Sequence, residues 1–189
     1  FHLNNQYVEN VDILKNRGVG VAHNPQSNMK IAAGVAPIPL MLKKGLRLGL
    51  GTDGAASNND LSLWEEMDTA AKLHKIFSGD PKVVSAKEVF AMATIGGARA
   101  LHLEDKIGSL ETGKLADMVL VDFDNLNQIP MYNVYSHLVY ATKAADVNTV
   151  IINGKVVMKE RNLLTLQENV IKKDANVFRQ KIIKSLANN

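Results

Sequence analysis

Residues 46–60 read LRLGLGTDGAASNND. An apolar run, 46–51, ends in a small, polar, glycine-containing turn, and Asp53 stands just past its end. A short apolar run bounded by turn residues reads as a buried strand. Upstream, VGVAH at 19–23 is a second run of the same kind, followed by NPQSN at 24–28, which reads as a loop. Between the two runs, PIPLMLKK at 37–44 forms a short helical pattern, with Pro37 at its start and Gly45 at its end. Near the start of the chain, Val8, Val11 and Leu14 recur at helical spacing within 5–17. Downstream, a long amphipathic helix is expected over 59–77, starting near Asn59, and another over 86–101. Ser85 and Glu88 fit the capping box that opens the second of these. Strands alternating with helices imply parallel βα units, which bind ligands at the carboxyl ends of their strands.

The texture changes after about Leu103. GSLETGKLADMVLVDFD, 108–124, carries turn residues and then a hydrophobic strand over 117–123. VNTVIINGKVVMKER, 147–161, is two apolar runs joined by Asn153-Gly154, a type I′ hairpin signal. Lysine-rich residues 166–187 close the chain with a helical pattern. The divisions expected are therefore 1–103, 104–165 and 166–189.

The chain has 189 residues, 46% of them hydrophobic, and a formal net charge of +3. That is enough for one globular domain with a sizeable core. No dense Lys/Arg block argues for nucleic-acid binding, and no apolar run reaches the roughly 18 residues of a spanning helix. Cysteine is absent, which excludes disulfides and thiolate metal sites. The first residue is Phe1 in what reads as the middle of a domain, so a piece of a longer protein is expected.

Asp53 sits where a parallel α/β architecture faces its ligand. Gly51 and Gly54 beside it allow close backbone approach. Asp53 reads equally well as the cap of the following turn. His23 ends the first strand, where a hydrogen bond to a loop carbonyl is the plainer reading. His74 and His102 lie on helical segments at no metal-ligand spacing and read as surface or packing residues, and His137 is assigned no role. Neither H-x-H nor H-E-x-x-H occurs. A catalytic zinc site commonly takes three protein ligands, and this chain offers one good candidate.

Taken together, VAHNPQSNMKIAAGVAPIPLMLKKGLRLGLGTDGAASNNDLSLWEEM (21–67), ATIGGARAL (93–101) and GSLETGKLADMVLVD (108–122) resemble the amidohydrolase superfamily. The branch is the one containing 5-methylthioadenosine/S-adenosylhomocysteine deaminases and triazine chlorohydrolases. The resemblance implies an α/β fold: the C-terminal portion of a (β/α)8 TIM barrel plus part of a small β-sandwich. By it, 19–23 is similar to the seventh barrel strand and 46–51 to the eighth. Asp53 then corresponds to the metal-ligating, proton-accepting Asp, and Ser57 and Asn58 to residues that shape the substrate pocket. One divalent metal is implied, zinc or iron, which would lower the pKa of water for attack on the carbon bearing an amino group.

The implied substrate is a purine nucleoside-like small molecule, with no nucleic-acid or membrane partner, in a cytoplasmic enzyme with homo-oligomerisation left open. The reaction implied first is deamination of an adenosine-type thioether. Guanine deamination or triazine dechlorination is the second reading, and a non-catalytic piece that only binds or assembles is the third. With the remaining ligands outside these residues, the 189-residue chain alone is expected to be inactive.

Overall fold

The computed structural model describes residues 10–187. In chain order, α1 (Val11–Asn16), β1 (Gly20–His23), α2 (Pro25–Lys30), α3 (Ile38–Lys44), β2 (Arg47–Leu50), α4 (Leu63–Ser78), α5 (Ala86–Ala93) and α6 (Ile95–Ala100) make up the first part. β1 and β2 pair in parallel, Gly20 opposite Arg47 and His23 opposite Leu50, so their carboxyl ends lie side by side. The core lies between this pair and the helices, and includes Ile38, Met41, Leu48, Met67, Ala70 and Val89. Burying each large apolar side chain stabilises the fold by about 1.5–3 kcal/mol. α6 rests directly on the strand pair. A Cβ at Gly49 would lie 2.8 Å from the Gly97 Cα, and one at Gly20 would lie 1.8 Å from the Ala100 carbonyl oxygen. Only glycine permits that approach.

Three local expectations are corrected. The segment read as a loop, 24–28, largely forms α2, with Pro25 in its first turn. The fixed φ of proline suits a helix start, and the N–H it lacks would have had no partner there. The helix expected from near Asn59 begins at Leu63. Asn59 has φ +73, outside the helical region. Asp60 Oδ1 then accepts the Ser62 N–H at 2.8 Å, and Ser62 Oγ caps the helix by accepting from the Glu65 N–H at 3.3 Å. The single helix expected over 86–101 breaks at Thr94, whose φ −124 and ψ −105 are not helical. Its hydroxyl donates to the Phe90 carbonyl at 2.8 Å, ending α5 so that α6 can turn onto the strands. The capping box forms as read: Ser85 N–H donates to Glu88 Oε2 at 2.7 Å, and Glu88 N–H to Ser85 Oγ at 3.4 Å.

The later part holds a second sheet in the order β3 (Met118–Val121), β4 (Val147–Ile152), β5 (Lys155–Lys159), β6 (Asn162–Leu163), antiparallel throughout. Asn153 and Gly154 both take positive φ, as a type I′ hairpin requires. Between β3 and β4, α7 (Val134–Ser136) runs into a π-helical turn, His137–Ala141. The chain ends in α8 (Glu168–Ala187), exposed along its whole length. Among the described residues, no helix is long and apolar enough to cross a membrane. The opening residues of the expected 5–17 helix lie outside the described residues.

Candidate active site

Asp53 lies three residues past the end of β2. The Gly51 N–H donates to the His23 carbonyl at 3.0 Å, carrying the strand pairing one step toward it. Asp53 has φ +59, a left-handed conformation that Asp tolerates better than most residues. Both its carboxylate oxygens have a donor: Gly54 N–H to Oδ1 at 2.8 Å, and Ser27 Oγ to Oδ2 at 2.8 Å. The plane of the carboxylate is thus set by its own turn on one side and by α2 on the other. Of the two neighbouring glycines, Gly51 is the crowded one: a Cβ there would lie 2.4 Å from Asn24 Oδ1, so the end of that side chain would have to shift. Gly54 has open space around it.

The turn after Asp53 is closed by its own backbone, with Ser57 and Asn58 N–H both donating to the Gly54 carbonyl at 3.1 Å. The Ser57 hydroxyl donates to the same carbonyl at 3.0 Å. The Asn58 side chain points inward. Its Nδ2 donates to the Thr52 carbonyl at 2.8 Å and to Glu66 Oε1 at 2.6 Å. Lys30, the last residue of α2, ties the far end of the turn by donating to the Ala56 carbonyl at 2.9 Å and to Asn59 Oδ1.

Beneath the turn, Glu66 is fully buried on α4. Its second oxygen accepts the Gln26 N–H at 3.2 Å. Burial raises its pKa above the ordinary carboxylate value, opposed by the hydrogen bonds from Gln26 and Asn58.

His23 and His74 are also buried, and their Nε2 atoms lie 2.9 Å apart. One ring must donate and the other accept, so the pair holds when both are neutral. Burial, reinforced by His74, lowers the His23 pKa to about 3. Burial, with Lys75 adding to it, lowers that of His74 to about 4. The loop-carbonyl partner expected for the His23 side chain is thus replaced by a histidine 51 residues away, and His74 is a packing residue in the core.

No spacing in the sequence marks the contacts of Ser27 and Glu66 or the His23–His74 pair. A signal for two of them is present nonetheless. Glu66 and His74 flank Ala70 at spacings of four on the stripe that α4 buries, and polar residues on such a stripe need partners.

Among the described residues, no group of three or more His, Cys, Asp or Glu is placed to hold a metal ion. Asp53, a hard oxygen donor at a strand end with its plane fixed, fits one ligand of a divalent-cation site and not a complete one.

The chain is 53% identical to a 5-methylthioadenosine/S-adenosylhomocysteine deaminase of Desulforudis audaxviator, over 93% of this chain and 41% of that protein. It is 46% identical to a 5'-deoxyadenosine deaminase of Methanosarcina acetivorans, over 92% of this chain and 40% of that protein. Among solved structures, a zinc-bound adenosine deaminase from Xanthomonas campestris superposes with a TM-score of 0.91 at 39% identity, covering 93% of this chain and 40% of that one. The zinc complex of atrazine chlorohydrolase from Arthrobacter aurescens gives 0.82 at 27%, covering 90% and 38%. The chain thus spans about 40% of the length of the relatives it matches. Residues 1–157 match the profile of the amidohydrolase family, and the chain belongs to that family.

Proposed function

We propose that the protein carrying this sequence is a metal-dependent, cytoplasmic aminohydrolase that deaminates an adenosine-type thioether, 5-methylthioadenosine or S-adenosylhomocysteine. The observation that carries the reading is the Asp53 carboxylate, held by Ser27 and Gly54 at the carboxyl end of a strand in a parallel pair. The relatives at 46–53% identity, all named as deaminases of adenosine derivatives, support the substrate class. In this reading, 1–103 supplies the last part of a (β/α)8 barrel, 104–165 part of a small β-sandwich, and 166–189 a terminal helix.

Asp53 would hold the cation as one ligand, and the zinc-bound structural relatives support zinc as that cation. Bound there, the cation supplies Lewis acidity and lowers the pKa of water. Asp53 takes the proton of the attacking water on a carboxylate oxygen and passes it to the departing ammonia. Its fixed plane means that little reorientation accompanies the transfer. Ser57 and Asn58 keep the turn in shape beside the substrate. Asp53 is one donor where such a site needs about three, so the 189-residue chain alone is expected to have no turnover.

The test is Asp53→Asn in the complete, metal-loaded enzyme, followed by the absorbance change as adenine becomes hypoxanthine. Ser27's hydroxyl can accept from the new amide, so the turn survives while the basicity is lost. Activity is expected to fall about 10²–10⁴-fold, the usual scale for a general acid–base group. Wild-type-like turnover would overturn the role given to Asp53. Robust activity on guanine or a chlorotriazine, with none on either thioether, would keep the site and overturn the substrate.

A further inference from the structure

We propose that Glu66 is a positioning residue for the reaction, clamping together the turn after β2 and the first turn of α2, the two segments that orient Asp53. One carboxylate oxygen, Oε1, accepts from Asn58 Nδ2 at 2.6 Å. The same amide nitrogen holds the Thr52 carbonyl at 2.8 Å, immediately before Asp53. The other oxygen, Oε2, accepts from the Gln26 backbone N–H at 3.2 Å. Gln26 is followed by Ser27, whose hydroxyl meets Asp53 Oδ2 at 2.8 Å. Glu66 therefore reaches Asp53 from both sides, through the turn after β2 and through the first turn of α2.

The chemistry of the clamp requires a carboxylate. Both partners are donors, and Glu offers two acceptor oxygens at that point. Glutamine keeps the shape but offers one oxygen and one NH2, so one of the two segments would face a donor with a donor. The residue is fully buried, so water cannot take over the lost bond at low cost. A second bond from the same segment supports the geometry: Gln26 Nε2 donates to Thr69 Oγ1 at 3.1 Å, pinning α2 against the same helix, α4.

The inference rests on the reading of Asp53 as the reacting carboxylate, and the experiment separates the two. Glu66→Gln, Glu66→Asp, Ser27→Ala and the Glu66→Gln/Ser27→Ala double variant are made in the complete, zinc-loaded enzyme beside Asp53→Asn. Turnover, KM, melting temperature and zinc retention against a chelator are measured on each. A misplacement of the order of an ångström costs up to about a hundredfold in rate. Glu66→Gln is expected to lower kcat roughly ten- to hundredfold with KM within about threefold, and to lose zinc to the chelator more readily than wild type. Glu66→Asp keeps two acceptors on a shorter arm and is expected to fall between wild type and Glu66→Gln, which keeps the test alive if the glutamine variant does not fold. Glu66→Gln and Ser27→Ala are expected to be less than additive in kcat, since both act on one carboxylate.

A variant with wild-type kcat and zinc retention but a lowered melting temperature would overturn the clamp and leave Glu66 a purely structural residue. Full additivity with Ser27→Ala would overturn the route through α2. An active Asp53→Asn would instead sink the reading of Asp53, whatever Glu66 shows.

Discussion

The two sheets of this chain treat comparable apolar residues differently. Leu48 of β2 is buried and Val21 and Leu50 pack against the core, whereas Val119, Leu120, Ile152 and Val156 of the antiparallel sheet are exposed. Within this chain the difference follows connectivity. Joining β1 to β2 in parallel requires a crossover, and that crossover carries α2 and α3, which with α4 to α6 form a second layer. A hairpin joins β4 to β5 and brings no helix with it. The first region consequently encloses not only a core but also a buried polar layer of His23, Ser27, Asn28, Asn58, Glu66 and His74. In the second, the alternation that specifies strands is satisfied in pairing, and the exposure of these four residues is that of a chain spanning about 40% of its relatives' length. Hydrophobic patterning selects an element, and burial depends on what the chain delivers to cover it.

The sharpest way to break the comparison is acid. His23 and His74 have folded pKa values of about 3 and about 4, below the ordinary 6.5, because charging them in the core is costly. Their contribution to stability is complete above about pH 6.5 and is lost as pH falls toward those values, since the unfolded chain takes up protons first. Each unit of displacement corresponds to about 1.4 kcal/mol. Glu66 acts with the opposite sign, because its raised pKa makes the folded state the stronger proton binder. Denaturant midpoints at pH 7.5 and 5.0 are expected to drop for the first region's near-UV signal, and His74→Gln is expected to flatten that slope. An unchanged midpoint in the wild type would mean that the pair is not held neutral.

Next in size is a cavity. Met41 is fully buried in the first region, and Met41→Ala is expected to cost about 2–5 kcal/mol by urea denaturation. Val119→Ala in the open sheet should cost well under half as much, and equal costs would erase the contrast. The smallest effect is expected on α8. Phe178 is exposed there, and Phe178→Ser should change stability by no more than about 0.5 kcal/mol. A loss above about 2 kcal/mol would show that this helix face is covered in solution.

Much of this architecture was legible in the sequence. The runs at 19–23 and 46–51, the capping box at Ser85 and the Asn153-Gly154 turn each report a local preference, and each formed where local preference decides. Asp53's place past a strand end follows from the same reading. What escaped depended on contacts made at a distance or on signals that point two ways. Pro25 after Asn24 looks like a loop, yet proline also opens helices. Glu160 and Arg161 both take positive φ between β5 and β6, without the Asn or Gly that usually marks such a turn. Thr94 breaks a continuous helical pattern because α6 must reach Gly49. The neutral histidine pair and the Glu66 contacts join residues 51, 40 and 8 apart, and no single window shows them.

Those separations also order events in time. The β4–β5 hairpin closes through two residues and can form within microseconds. The Ser27–Asp53 bond must first bring together residues 26 apart, and the His23–His74 contact residues 51 apart. Closing such loops costs entropy before any contact repays it. A growing chain that ends at residue 60 already contains Asp53 and Ser27, but Glu66 and His74 have yet to be made. The candidate site is therefore expected to be among the last parts of its region to gain protection in pulse-labelled hydrogen exchange, well after the hairpin that lies a hundred residues further along.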